Sequence, residues 1–86
     1  MNIDVSSIDK VLKKLKRKDP NLFRALQKKI IQIAETEPQV IQHYKNLRKP
    51  LQHLKRVHVG SFVLVFRIKE NTIIFEDFDH HDKIYK

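Results

Sequence analysis

Two stretches of the chain carry residue types that can move protons and hold phosphates. The C-terminal segment FEDFDHHDKIYK, residues 75–86, sets His80 and His81 side by side between Asp79 and Asp82, just ahead of Tyr85. Earlier, LKRVHVG places Arg56 and His58 two positions apart, so that on a strand both project from one face. Imidazole titrates near pH 6.5, which suits it to take or give a proton at working pH. The guanidinium of Arg56 offers a planar fork of donors that matches phosphate oxygens. Tyr85 or Phe78 can stack on an exposed base. Together these groups fit RNA cleavage without a metal, which needs a base for the 2′-OH proton, cations for the phosphorane-like oxygens and an acid for the departing 5′-oxygen.

A metal reading of Asp79-His80-His81-Asp82 competes with this, because histidine and carboxylate form a legitimate zinc or manganese set. Contiguous ligands on a regular strand diverge, however, and no HExxH or Hx3H spacing occurs. No metal and no cofactor are therefore assigned.

Composition bounds the partners. The chain has 86 residues, no cysteine, and 18 Lys and Arg against 10 Asp and Glu, for a net charge of +8. That length supports one domain, residues 1–86, with one modest core. The lack of cysteine excludes disulfides, thiolate catalysis and Cys-based zinc sites. The charge attracts polyanions, nucleic acid first among them. No signal-peptide pattern and no run of about 20 apolar residues is present, so a cytoplasmic chain without membrane association is expected.

The elements that must position these residues read as a helical half and a strand half. Ser6 or Ser7 is expected to cap a first helix whose Ile8, Val11, Leu12 and Leu15 share a face. Asp19 and Pro20 suit the N-cap and first turn of a second helix, with Leu22, Phe23, Leu26, Ile30 and Ile33 as its buried stripe and Glu37-Pro38 as its end. Residues 38–53 read as a connection with at most one helical turn. From Leu54 the period becomes two, giving three consecutive antiparallel strands separated by Gly60-Ser61 and Glu70-Asn71, with Asn2–Val5 as a possible edge strand. The expected fold is α+β, an N-terminal helix hairpin packed on a small antiparallel β-sheet.

Strand parity divides the faces. Phe62, Leu64, Phe66 and Ile68 are expected in the core, leaving Val63, Val65 and Arg67 opposite. On the last strand Ile73 and Phe75 are expected inward, with Ile74, Glu76, Phe78 and His80 outward and His81 pointing away from His80.

The layout resembles the RelE/ParE superfamily of toxins from type II toxin–antitoxin pairs over nearly the whole chain. LKRVHVGSFVLVF is similar to the family's YRxRVGDYRVIY strand-turn-strand, HHDKIYK to its terminal HRxxVYR, and KNLR to its K-x-L-x-G approach without the glycine. The resemblance implies an endoribonuclease of the RelE kind, cleaving mRNA in the ribosomal A site. The alternative is a ParE-like gyrase inhibitor, or an inactive homologue that only binds its antitoxin. The resemblance places His81 at the Arg of HRxxVYR, where some branches use histidine, which makes His81 the implied proton-transfer residue, and Tyr85 at the terminal Tyr; His81, His80, His58, Arg56 and Tyr85 are the catalytic candidates. Val63 stands where the family has an Arg, which favours a histidine-based variant resembling the YafQ or YoeB branches. Lys13, Lys14, Arg17, Lys45, Arg48 and Lys55 are assigned to RNA, and Val63, Val65 and Arg67 to an antitoxin. Implied partners are the antitoxin, the ribosome and mRNA, with the toxin a monomer alone and part of a hetero-oligomer when neutralised.

Overall fold

A computed structural model describes residues 1–85. The chain runs β1 (Asn2–Asp4), a 3-10 turn (Ser6–Ile8), α1 (Asp9–Lys18), α2 (Pro20–Ala34), α3 (Pro38–Ile41), β2 (Lys55–Val59), β3 (Phe62–Lys69), β4 (Thr72–His80) and α4 (His81–Ile84). Asp19 is the N-cap between the first two helices, its carboxylate accepting from the Leu22 N–H at 3.2 Å, and Pro20 fills the first turn. Such a cap is worth about 1 kcal/mol. At the start of the helical half, neither Ser6 nor Ser7 caps through its side chain. Asp4 takes that role, with its carboxylate accepting from both the amide and the hydroxyl of Ser6.

The four strands lie in the order β1-β4-β3-β2. β2, β3 and β4 pair antiparallel, whereas β1 pairs parallel to β4, making the sheet mixed. The parallel edge follows from connectivity: β1 is followed by the helical layer and two further strands before β4 returns beside it. Gly60 turns β2 into β3 with φ +61°, the left-handed backbone that glycine adopts without a Cβ penalty. Glu70 carries the corresponding positive φ between β3 and β4.

Leu26, Ile30 and Ile33 of α2 close over Leu64, Phe66, Ile73 and Phe75 to form the main core, with Ile8 and Ile41 at its margins. Phe78 belongs to the same core, against expectation. The cause is a β-bulge: Phe66 pairs with Phe75 but Val65 pairs with Asp77, so Glu76 is an extra residue. One inserted residue inverts the side-chain phase of everything beyond it. Phe78 thereby stacks on Phe62 at 5.2 Å between ring centres, and His80 meets the edge of Phe62 at 5.7 Å. His80 is thus on the helix side of the sheet, and Asp77 and Asp79 take the face of Arg56 and His58.

A second correction concerns Val63 and Val65. They are 0% and 3% exposed, not an open apolar strip. Leu47 is buried with them, and Leu54 and Ile84 pack against this smaller cluster. FVLVF is apolar at every position, as befits a strand covered on both sides.

Candidate functional site

The second face of the sheet carries a cavity of about 690 Å³ where Arg56 and His58 of β2 meet the loop Asn46–Leu51 and the end of α4. Its wall is built by backbone pairing as well as side chains. The Leu47 N–H donates to Leu54 O at 2.9 Å and the Arg56 N–H to Lys45 O at 2.8 Å, folding the loop against the outer edge of β2. α4 approaches from the other end, where the His81 N–H donates to Ser61 O at 3.0 Å. Ile84 then lies over the Val63 cluster, and Tyr85 reaches the cavity.

Three of the five expected catalytic residues are brought together. The guanidinium carbon of Arg56 lies 5.6 Å from the centre of the Tyr85 ring, and the His58 ring lies 6.5 Å from the same ring. Arg56 is half-buried, and His58 and Tyr85 are exposed, so this face is open to a ligand. His80 and His81 do not line the cavity. They form a separate cluster with Asp82 at the sheet corner, where the His81 and His80 Nδ1 atoms lie 2.7 and 3.5 Å from its carboxylate. Once the bulge is counted, parity no longer puts His80 beside Arg56.

The basic residues fall into separate groups. Arg48 lines the cavity, with Lys49 added by the loop, and Lys45 is exposed just before it. Lys55 is not free for a phosphate: its ammonium donates to the carbonyls of Gln42 and Tyr44 and to the Asn46 side chain at 3.2, 3.4 and 3.1 Å. These acceptors lie just past α3, so Lys55 anchors the loop to β2. Lys13, Lys14 and Arg17 are exposed on α1, which packs on the opposite face of the sheet from the cavity. Lys13 also forms an exposed ion pair with Asp9 at 3.0 Å. Arg67 pairs with Glu76 at 2.6 Å.

Carboxylates share this face of the sheet without entering the cavity. Asp77 and Asp79 stand on β4, two strands from Arg56 and His58, or about 10 Å at ordinary strand spacing. Each accepts from the N–H of the following residue at 2.8 Å. The cation-lined pocket and the acidic strand therefore lie side by side, with Val63 and Val65 between them. Sequence reasoning missed the cavity wall at Asn46–Leu51, because that stretch has no periodicity. Its signals were Pro50, the KNLRK charges and the likeness of KNLR to the family's approach to the sheet, none of which announces a wall.

A helical layer on one face of a small mixed sheet and a basic, histidine-bearing pocket on the other define an α+β protein. The family described as ParE toxin of type II toxin-antitoxin system, parDE, matches residues 6–85, and the chain belongs to it. It is 52% identical over 83 residues to "Putative toxin RelE4" of Methanocaldococcus jannaschii, covering 93% of this chain and 84% of that protein. An uncharacterized protein of Methanosarcina mazei is 42% identical over 83 residues, covering 93% of this chain and 92% of its own length. No solved structure matches at comparable stringency. The chain is a RelE/ParE superfamily toxin, and a type II toxin has an antitoxin as partner. Among the described residues, no helix is long and apolar enough to cross a membrane.

Proposed function

We propose that this toxin is a ribosome-dependent mRNA endonuclease working from the cavity of Arg56, His58 and Tyr85. The observation that carries the reading is the convergence of a guanidinium, an imidazole and a phenol on one open pocket whose rim adds Arg48 and Lys49. A protein that blocks a topoisomerase by contact alone has no need of a proton-transfer group there.

Each group then has a role. His58 takes the 2′-OH proton as the 2′-oxygen bonds to the adjacent phosphorus and the bond to the 5′-oxygen breaks. This leaves a 2′,3′-cyclic phosphate on one fragment and a 5′-hydroxyl on the other. Arg56 and Arg48 hold the equatorial oxygens, where negative charge accumulates. Arg48 stands in for the cation that Val63 cannot supply. The Tyr85 hydroxyl gives a proton to the leaving 5′-oxygen; where the Tyr85 ring stacks on the neighbouring base instead, water supplies that proton. The resemblance instead gave proton transfer to His81. His58 is favoured because it is the histidine that lines the cavity.

Pulse labelling after expression of the toxin alone tests the reading against gyrase inhibition. Amino-acid incorporation is expected to fall before thymidine incorporation, and the reverse order would overturn it.

A further inference from the structure

We propose that His80, His81 and Asp82 form a binding site for a late first-row divalent cation, zinc in the first instance. On a regular strand, neighbouring side chains point to opposite faces and cannot share an ion. Here the strand stops between them. His80 ends β4 and serves as the N-cap of α4 (φ −58°, ψ 144°), and His81 is the first helical residue. This corner brings the two imidazoles to the same side, with ring centres 4.7 Å apart. Asp82 follows on the next step of the turn, its two oxygens facing one imidazole each at 2.7 and 3.5 Å. One ligand atom from each of the three residues lies within 4.8 Å of the other two.

Two imidazole nitrogens and a carboxylate oxygen form a donor set that zinc, nickel and copper accept, whereas magnesium and calcium prefer oxygen alone. The three residues are between 39% and 74% exposed, so the remaining coordination positions are open to water. Asp82 already bridges both rings, and a cation held among them needs only rotation of exposed side chains. The Asp82 N–H contact to the His80 Nδ1, at 3.3 Å, is released on loading: the ring binds through Nδ1 itself, or through Nε2 with the ring proton moved to Nδ1. Occupancy would tie the end of β4 to the first turn of α4. It would thereby hold Ile84 and Tyr85 in place over the second face of the sheet. The site is distinct from the cavity of Arg56 and His58, and the inference does not depend on nuclease activity.

The test is a titration of the full chain with zinc chloride above pH 7, using a chelating dye in competition and following the histidine ring signals by NMR. Saturable binding is expected, with the His80 and His81 signals shifting together and the melting temperature rising with zinc concentration. His81→Ala and His80→Ala should each weaken binding by at least about tenfold, the lower bound for losing groups that merely support a metal ligand. His53→Ala, in the exposed loop, should leave it unchanged. His81→Gln serves if the alanine variant melts early. The proposal is overturned by the absence of saturable binding, or by binding that survives the two corner variants undiminished, whatever His53→Ala does.

Discussion

The Arg56 guanidinium lies 5.6 Å from the centre of the Tyr85 ring, joining the strand before the glycine turn to the last turn of the chain. Exposed contacts of this kind contribute about 0.5–1 kcal/mol, enough to bias a terminal segment without locking it. The contact places the phosphate-holding and stacking groups of the proposed site on one spot.

Arg56→Lys is therefore expected to retain charge but lose the fork and the ring contact. Single-turnover cleavage of ribosome-bound mRNA should fall by at least about tenfold, and Arg56→Ala should cost at least about 100-fold, as for a lost charge-stabilising donor. Equal rates for Arg and Lys would mean that the residue acts only as a point charge.

Val63→Asp should unfold the toxin or nearly so. Val63 has no exposed surface and lies beneath Leu47, Leu54 and Ile84, so a carboxylate there would be buried without a partner. The cost is about 3 kcal/mol or more, and at about 4–8 °C per kcal/mol for a domain of this size the melting temperature should drop by more than about 12 °C. Val63→Ala, which deletes two buried methyl groups, should cost less, about 2 kcal/mol, and leave the protein folded. A stable Val63→Asp protein would mean that the covering segment separates readily from the sheet.

These outcomes differ from what the sequence leads one to expect, and the reasons are physical. Asp19, Pro20 and Gly60 were legible because caps and turns are decided by neighbours along the chain. The helix-facing stripe Leu26, Ile30 and Ile33 and the strand residues Leu64 and Phe66 were legible from periodicity. Phe78 and His80 were misplaced because a single extra residue at Glu76 inverts parity, and nothing in FEDFD announces a bulge. Val63 and Val65 were misread because their cover comes from Leu47, Leu54 and Ile84, which are distant in sequence or lie in irregular segments. Arg56 and His58 were legible as a pair from strand parity, and Tyr85 entered as a candidate through the terminal motif, whereas the loop beside them showed its charges and the KNLR motif but not that it walls a cavity.

Lys55→Met should behave as a stability variant and not as an RNA-binding variant. Three oxygens lose their donor, at a cost of about 1–2 kcal/mol. The salt dependence of RNA binding should stay unchanged. Arg48→Ala should instead reduce the slope of log K against log salt by about 0.7–0.9, the signature of one lost phosphate contact. A reduced slope for Lys55→Met would contradict the anchoring role.

Acidification should loosen the junction between β1 and the helices. The hydroxyl and amide of Ser6 hold the Asp4 carboxyl below its ordinary range, with the Arg67 charge a lesser contribution in the same direction. A depressed folded-state pKa stabilises above the unfolded value, about 3.9, and that contribution is lost as pH falls through the folded value. Asp4→Asn is expected to melt below the parent protein at pH 7, with the gap closing below about pH 4. A gap that persists unchanged in acid would assign the effect to geometry and not to charge.

The central claim, that RNA is cut in the cavity beneath α4, is tested most directly by primer extension on mRNA from translating ribosomes incubated with purified toxin. The parent protein should produce discrete 5′-hydroxyl ends, His58→Ala should reduce them by at least about 100-fold, and His81→Ala should retain them within about tenfold. Intact mRNA with the parent protein, or loss confined to His81→Ala, would contradict the claim.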